Sequence, residues 1–372
     1  MIEIDQARAE DWPAIARFVA RCHGAEAPFK GEARWRWQLE EAPGAIADAA
    51  RPPSWIARAG DGEVVGQISL QPGRVWLDGE PVEIGWIVDV MVDPLHRGNG
   101  LGHRLYRAIL DAGHITVTLT MAPATRRIAQ RAGCVELPPV AQLLRVQRLS
   151  GTTLRRWARH SAAQGGRGRW IAPPLIAPVA ALAAGAATLA ARVVQGNSPD
   201  CTEAREVREI ERADPEDVER LGRRLQHAGL AHGERSAKFW RWRFEQAPDL
   251  AYCVARYPSD GAARALIAWR KPLPEELPVG TIAAVLADPA DGDAQRIVLA
   301  HALAAMERLE AVVAGAAPGA QFDNYRAAGF LPVKWHRPTV SAHDVRLLAR
   351  FARAREWHLD KADHDWDQVH PR

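Results

Sequence analysis

A chain of 372 residues, 47% hydrophobic and 25% charged, is long enough for two ordinary cores and too apolar to be disordered throughout. Its 48 basic and 45 acidic residues leave a formal charge of +3, a field that gives no reason to expect nucleic acid as a partner. Four cysteines, Cys22, Cys134, Cys201 and Cys253, are too few and too scattered to staple such a fold and are expected to be reduced. With Glu3, Asp5, Glu10 and Asp11 where a secretory signal would need a basic start and an apolar run, the expected location is cytoplasmic.

In chain order, a strand-like start leads through an acidic cap to a helix carrying Ile15, Phe18 and Val19 on one face. Next come Trp35-Arg36-Trp37, then Glu40, Ala42 and Pro43. Residues 55–59, the turn Gly60-Asp61-Gly62 and residues 64–68 predict an antiparallel hairpin. The run from Ile84 to Val92 is almost wholly apolar, as expected of a strand covered on both faces. A helix is predicted from about Gly100 to Ala112, with Leu105, Ala108, Ile109 and Ala112 at helical spacing and Gly113 as its stop. A strand from His114 to Met121 and a short helix from Arg126 to Arg131 follow. The order β-α-β-β-β-α-β-α describes one α/β domain.

That domain recurs. Trp240-Arg241-Trp242, followed by Glu245, Ala247 and Pro248, repeats the earlier segment 205 positions on. Arg8 to Asp11 matches Arg212 to Asp217, Asp93-Pro94 matches Asp288-Pro289, and Arg131 to Cys134 matches Ala327 to Phe330. The expected organisation is an α/β domain over 1–148, a basic then apolar linker over 149–206, a second copy over 207–343, and a C-terminal helix with an acidic tail over 344–372. In the linker, Arg155, Arg156, Arg159, Arg167 and Arg169 precede 22 uncharged residues from Trp170 to Ala191. Ten alanines in that stretch, together with Pro173, Pro174 and Pro178, argue against a bilayer span, as does the separation of matching domains that a span would impose. A helix packed between the domains and an interfacial helix making peripheral membrane contact through 170–191 both stay open.

The segment from Asp89 to Gly102 carries the chemistry. It reads strand, glycine-rich loop, helix start; glycines at 98, 100 and 102 permit close backbone approach, and the first helical turn presents unpaired N–H groups suited to a pyrophosphate. A P-loop would need Gly-Lys-Ser/Thr, and the dinucleotide fingerprint needs a different glycine spacing. Arg97, Gly100 and Gly102 form R-x-x-G-x-G, and the segment resembles the signature of the GNAT acetyltransferase superfamily. The resemblance implies two GNAT-like mixed-sheet domains in tandem, joined by the Ala/Pro-rich helical linker. It implies that the loop amides from Arg97 through Gly98, Asn99, Gly100, Leu101 and Gly102 to His103 hold the pyrophosphate of acetyl-CoA. Val90, Met91 and Val92 would pair with its pantetheine arm. In the second copy Arg97 becomes Gly292, Gly100 becomes Gln295 and Gly102 becomes Ile297, so this copy is expected to be degenerate and to close the acceptor cleft.

Acyl transfer to an amine needs a proton acceptor and a donor to the developing oxyanion. Asp89 is the ionisable side chain inside the apolar strand and the candidate general base or ammonium anchor; a structural carboxylate paired with an Arg is the alternative reading, and Glu83 is a weaker candidate. The Tyr with which many GNAT relatives protonate the leaving thiolate is replaced by Ala129, whereas Tyr325 occupies that place in the second copy, where it reads as a core or cleft aromatic. His301, His336, His343, His358 and His364 lack a metal-ligand spacing, so no metal is expected. Trp35, Trp37, Trp240 and Trp242 either line an acceptor cleft or pack at a domain edge. The expected function is acyl-CoA-dependent N-acylation of a primary amine on a small molecule or amino sugar bound between the domains. A GNAT-fold binding protein without turnover and a membrane-attached acyltransferase are the alternatives.

Overall fold

The computed structural model describes residues 2–23, 31–44, 51–156, 177–195, 202–274 and 276–368. The first half runs β1 (Glu3–Gln6), α1 (Trp12–His23), α2 (Glu32–Leu39), β2 (Ser54–Arg58), β3 (Val64–Leu77), β4 (Glu80–Val92), α3 (Leu101–Asp111), β5 (Thr116–Thr118), α4 (Pro123–Arg131), β6 (Val135–Glu136) and β7 (Val140–Val146). After α5 (Ala177–Gln195), the second half runs β8 (Arg208–Ile210), α6 (Pro215–His227), β9 (Ala231–Gly233) and α7 (Ala237–Trp240), which continues as a π-helical turn over Arg241–Glu245. It goes on through β10 (Cys253–Tyr257), β11 (Ala265–Arg270), β12 (Val279–Ala287), α8 (Gly292–Ala305), β13 (Ala311–Ala316), α9 (Ala320–Ala327), β14 (Leu331–His336) and β15 (Thr339–Ser341). A final α10 (Val345–Arg353) and β16 (Trp357–His358) close the described chain.

Local chemistry accounts for the main elements. Asp78 and Gly79 both have positive φ, the geometry of a two-residue hairpin turn, and join the long strands β3 and β4 from Leu77↔Glu80 onward. On α3, Leu101, Leu105, Tyr106, Ile109 and Leu110 are buried on one face, and Gly113 in the left-handed region follows its end. The Trp-rich segments, whose conformation the sequence left open, are helical in both halves because their apolar residues pack inward on opposite sides of one junction.

Two sheets result, and they do not coincide with the two halves of the sequence. The first has the order β1-β2-β3-β4-β5-β15-β6, and the second β14-β7-β13-β12-β11-β10-β8. Strand β7, from the first half, lies between β13 and β14 of the second, with Val313↔Leu144 and Leu331↔Leu144 in register. Strand β15, from the second half, lies between β5 and β6 of the first, with Thr339↔Thr118 and Thr339↔Glu136. The halves thus exchange their last strands, and β6 and β14 each join a sheet only through a strand supplied by the other half. Strand β9 adds a further crossing, pairing with β3 at Val75↔Gly233 and with β16 at Trp357↔Ala231.

The repeated tryptophans stand at the junction. Trp37 and Trp242 stack at 4.5 Å between centroids, and each indole donates to the other's carbonyl, Trp37 Nε1 to Trp242 O at 3.0 Å and Trp242 Nε1 to Trp37 O at 2.9 Å. Trp35 instead packs in the core beneath α1, 5.5 Å from Trp12, and Trp240 lies against Phe244. These four side chains therefore build cores and an interface, which decides between the two sequence readings in favour of packing.

The acidic stretch after α10 is buried. Arg235 binds both Asp360 and Asp363, Arg243 binds Asp367, and all five side chains are almost wholly excluded from solvent. Arg34 reaches the same segment, donating to Gln368 Oε1 at 3.0 Å and to Pro248 O at 2.8 Å. Paired and hydrogen-bonded, these carboxylates tie the C-terminal segment to the second half, and Arg34 links the first half to both. Helix α5 packs near β7, where Leu149 N donates to Thr188 Oγ1 at 2.9 Å, while Leu182, Leu189 and Val193 face outward. Residues 157–176, including much of the basic and proline-containing stretch, lie outside the described residues. No helix among the described residues is long and apolar enough to cross a membrane.

The junction predicts a measurable coupling. Trp37→Ala and Trp242→Ala should each destabilise the chain by about 3–5 kcal/mol, and the double variant should cost about 1–3 kcal/mol less than the sum, because one loss removes both the stack and the paired hydrogen bonds. Strict additivity in urea denaturation would refute the contact.

His232 gives a pH signature. It is buried on β9 with Nδ1 2.7 Å from the Gly233 carbonyl oxygen, and burial, aided by Arg235 and His358, pushes its pKa from 6.5 down to about 3. The unfolded ring protonates near 6.5 and the folded ring only near 3, so its contribution is intact above that window and is lost as pH falls through it. His232→Gln should flatten the dependence of Tm on pH between about 7 and 4; an unchanged slope would remove the residue from the account.

Candidate functional site

The site is built where two neighbouring strands part. Strands β4 and β5 pair in parallel at Gly85↔Thr116 and Trp86↔Val117, and β5 ends at Thr118 while β4 continues to Val92. Among the described residues no strand pairs with this side of β4 beyond Trp86, which leaves this edge without a strand neighbour. On the other side, register slips between Gln67↔Met91 and Ser69↔Val88, so that Asp89 and Val90 together oppose Ile68 in a bulge. Asp89 sits in the bulge with φ of 54°, half-buried. Val90 and Val92 pack toward the cluster containing Leu101 and Leu105, and Met91 packs toward that of α1.

The loop follows directly. Asp93 accepts from Leu95 N at 2.9 Å and lies 3.3 Å from Arg21 Nε, contacts that outweigh burial and hold its carboxyl below the usual range. Arg97 folds back to donate to Val92 O at 3.0 Å. Gly98 and Gly100 have φ of 86° and 74°, and a Cβ on either would meet nothing within 4 Å. The loop bends through a conformation that glycine adopts without strain and keeps open space in front of it. Arg97, Gly98, Asn99 and Gly100 are exposed, Leu101 anchors the helix from beneath, and Gly102 lies close to Ile128. Gly100 caps α3 with no side chain, and Arg104 N to Gly100 O at 3.1 Å is the first bond of the helix, so the preceding amides point out of the turn unspent. The Nδ1 of His103 is buried without a partner beside them. Such a turn, with partial positive charge and no internal acceptor, fits a pyrophosphate.

The corresponding turn in the second half is closed from within. Asp291 caps α8 by accepting from Ala294 N at 3.1 Å, and two hydrogen bonds of 2.9 Å tie its carboxylate to Arg264. Gln295 is buried, donating to Asp288 O at 3.3 Å and accepting from Asn324 Nδ2 at 2.7 Å. A carboxylate at the helix start occupies its donors and repels an anion.

The gap between β12 and β13 is also filled, by the C-terminal segment. A Cβ on Gly315 of β13 would collide with the Trp366 ring and with Lys361, Ala362 packs with Ala283 and Ala284 of β12, and Arg270 Nε donates to Asp367 O at 2.9 Å. The same segment reaches the β4 edge. His364 Nε2 lies 2.9 Å from Ile87 O, one residue beyond the last β4–β5 pair, while its Nδ1 is 2.5 Å from the Asp365 carboxylate. Burial opposes a charge on this ring, but Asp365, the Ile87 carbonyl and, more remotely, Asp89 outweigh it and raise the pKa of His364.

The structure therefore sets Asp89, Val90, Met91 and Val92 on one uncovered strand edge with the loop from Arg97 to His103 directly after it, and adds His364 and Asp365, which the sequence did not place here. Their one sequence signal, a His in an acidic run, says nothing of a contact made 277 residues away. Glu83 is held by Arg74 at 2.7 Å, away from the loop. Tyr325 is buried in the second core, 5.2 Å from Phe330, and burial raises its pKa. Among the described residues no group of three or more His, Cys, Asp or Glu side chains could hold a metal ion.

Comparison with known proteins bears on the fold. Residues 3–134 match the family model described as Acetyltransferase (GNAT) domain. No curated protein matches the sequence. Among solved structures, a GCN5-related N-acetyltransferase from Anabaena variabilis is similar with a TM-score of 0.57 at 11% identity, over 93% of this chain and 74% of that one. One from Kribbella flavida gives 0.53 at 16% identity over 92% and 71%. The N-myristoyltransferase of Saccharomyces cerevisiae with bound myristoyl-CoA gives 0.55 at 13% identity over 91% and 82%. These likenesses, at such identities, show a shared fold that extends across both sheets. Over residues 3–134, well under half of the chain, the sequence is similar to the GNAT acetyltransferase domain.

Proposed function

We propose that the chain is an acyl-CoA-dependent N-acyltransferase, with acetyl-CoA as donor and a primary amine of a small molecule or amino sugar as acceptor. The carrying observation is the open turn from Arg97 to His103, with the unspent amides of Gly98 to His103, set at the end of the strand edge that β5 leaves uncovered. The first half, within residues 1–148, holds the coenzyme. The second half, within residues 207–343, is a degenerate copy that supplies one wall of the acceptor cleft, a reading supported by the repeated order of elements and by the Asp291 cap.

Each residue then has a task. The amides of Gly98 to His103 attract the diphosphate, and Arg97, tied to Val92 O, fixes the loop relative to the strand. The backbone of Val90, Met91 and Val92 offers amide and carbonyl groups to an extended arm, as an unpaired edge does to an added strand. When bound, the coenzyme would supply the thioester whose acyl group passes to the amine, its C–S bond breaking to release a thiolate that takes a proton from water. Asp89 anchors the incoming ammonium and takes its proton, and a main-chain N–H of the bulge faces the developing oxyanion. His364 secures Ile87 at the parting of the strands and so holds the bulge in register.

Gly100→Glu should abolish coenzyme A binding in calorimetry, by bulk and by like-charge repulsion, whereas Gln295→Glu should leave it intact. Equal losses would mean that the coenzyme is assigned to the wrong half. Asp89→Asn should lower kcat in a thiol-release assay by about 10²-fold or more with little change in coenzyme affinity. An unchanged rate would strike Asp89 from the mechanism, and coenzyme binding without thiol release for any amine would favour a binding protein of the same fold.

A further inference from the structure

A cavity of about 550 Å³ opens where α4 of the first half faces the end of β14 from the second. Arg126 and Arg127 line it from one side, and Lys334, Trp335, His336 and Arg337 from the other. Four cationic side chains meet a single carboxylate there: Glu136 accepts from Arg126 at 2.5 Å and from Arg337 at 3.3 Å, which holds its carboxyl below the usual range. Among the described residues Arg127 and Lys334 have no acidic partner. Trp335 keeps 47% of its surface exposed beside them.

His336 supplies a second, independent sign. It is 8% exposed, and its Nε2 is buried without a hydrogen-bond partner, a costly condition for a polar atom in a native interior. Burial, reinforced by the charges of Lys334, Lys361 and His364, lowers its pKa to about 4, so the ring is neutral at pH 7 within a field that favours negative charge. The C-terminal segment touches both this cavity and the β4 edge. The His336 ring packs against Trp366 at 4.8 Å, and two residues earlier His364 contacts Ile87 O, a step of roughly 7 Å along the chain.

We infer that this cavity seats the anionic group, phosphate or carboxylate, of the acceptor molecule. Arg127, Lys334 and the unpaired His336 Nε2 bind the anion, and Trp335 covers the adjoining apolar or sugar face. The volume suits a sugar phosphate or an amino acid. The inference rests on the proposed acyl transfer for the word acceptor, but the seat itself can be measured without turnover.

The test uses the full chain saturated with coenzyme A and two matched pairs of probes, glucosamine 6-phosphate with glucosamine and tyrosine with tyramine. Calorimetry should show the anionic member of at least one pair binding about tenfold or more tightly than its partner. Arg127→Ala combined with Lys334→Ala, both exposed positions, should erase that preference while coenzyme binding is kept. Equal affinity within both pairs, no measurable binding of any probe, or a preference that survives the double substitution would overturn the seat. So would anion-selective binding seen with the coenzyme-free chain and lost on saturation with coenzyme A, which would assign the cavity to the coenzyme's own phosphate. Thiol release separates the two readings. Anion-selective binding without release to any amine leaves the seat and removes the reaction, whereas equal release to both members of each pair, unaffected by the substitutions, leaves the reaction and removes the seat.

Discussion

The exchange of the last strands is the constraint on which the rest depends. With β7 absent, β14 has no neighbour in its sheet and β13 loses one edge; with β15 absent, β6 is stranded in the same way. Each missing strand would expose a row of unpaired backbone groups and one face of a core. Neither sheet is complete without the other half, so the two cores form one cooperative body. The Trp37–Trp242 stack and the buried Arg235 and Arg243 ion pairs fasten that body at other points. A buried pair contributes little by forming and costs about 3–5 kcal/mol when one member is removed, so these ties enforce the arrangement more than they stabilise it.

From that arrangement follows an asymmetry between two similar halves. Each has a strand, a turn and a helix in the same order, but the first turn is capped by glycine and faces solvent, whereas the second is capped by Asp291 and packed with Gln295 and Asn324. The gap beside β12 is filled by Lys361, Ala362 and Trp366, and the same segment continues to His364 at the β4 edge. One stretch of ten residues, Leu359–Gln368, thus closes one gap and borders the other. The close fit of Trp366 on Gly315 explains why the second half keeps a glycine in the middle of a buried strand, where it otherwise weakens pairing.

Much of the site could be read from the sequence because it is local. The strand, the loop and the helix start lie within residues 84–112, and their chemistry depends on glycine positions and apolar periodicity, which are visible in one dimension. The hairpin and α3 follow for the same reason. What the sequence hid is non-local. Strand β15 has three residues and β6 two, too short for any alternation to show, and their pairing spans about two hundred positions. The strand predicted from His114 to Met121 shrinks to Thr116–Thr118 because β4 leaves it after two pairs, and the helix predicted from Arg126 begins at Pro123. The acidic run Asp360–Asp367 reads as a tail because its partners Arg235 and Arg243 lie more than a hundred residues earlier.

The exchanged strands also bear on how the molecule is made. A chain emerging from the ribosome has β1 to β6 in hand early, but the strand that seats β6 lies at Thr339–Ser341, about two hundred residues later. At roughly 5–20 residues per second, the nascent sheet waits on the order of 10–40 s with an open edge. The lone tryptophan side chain of Trp37 and the orphaned β7 wait with it for partners not yet synthesised. Both sheets are therefore completed late in synthesis, and their open edges persist until the residues that cover them have emerged.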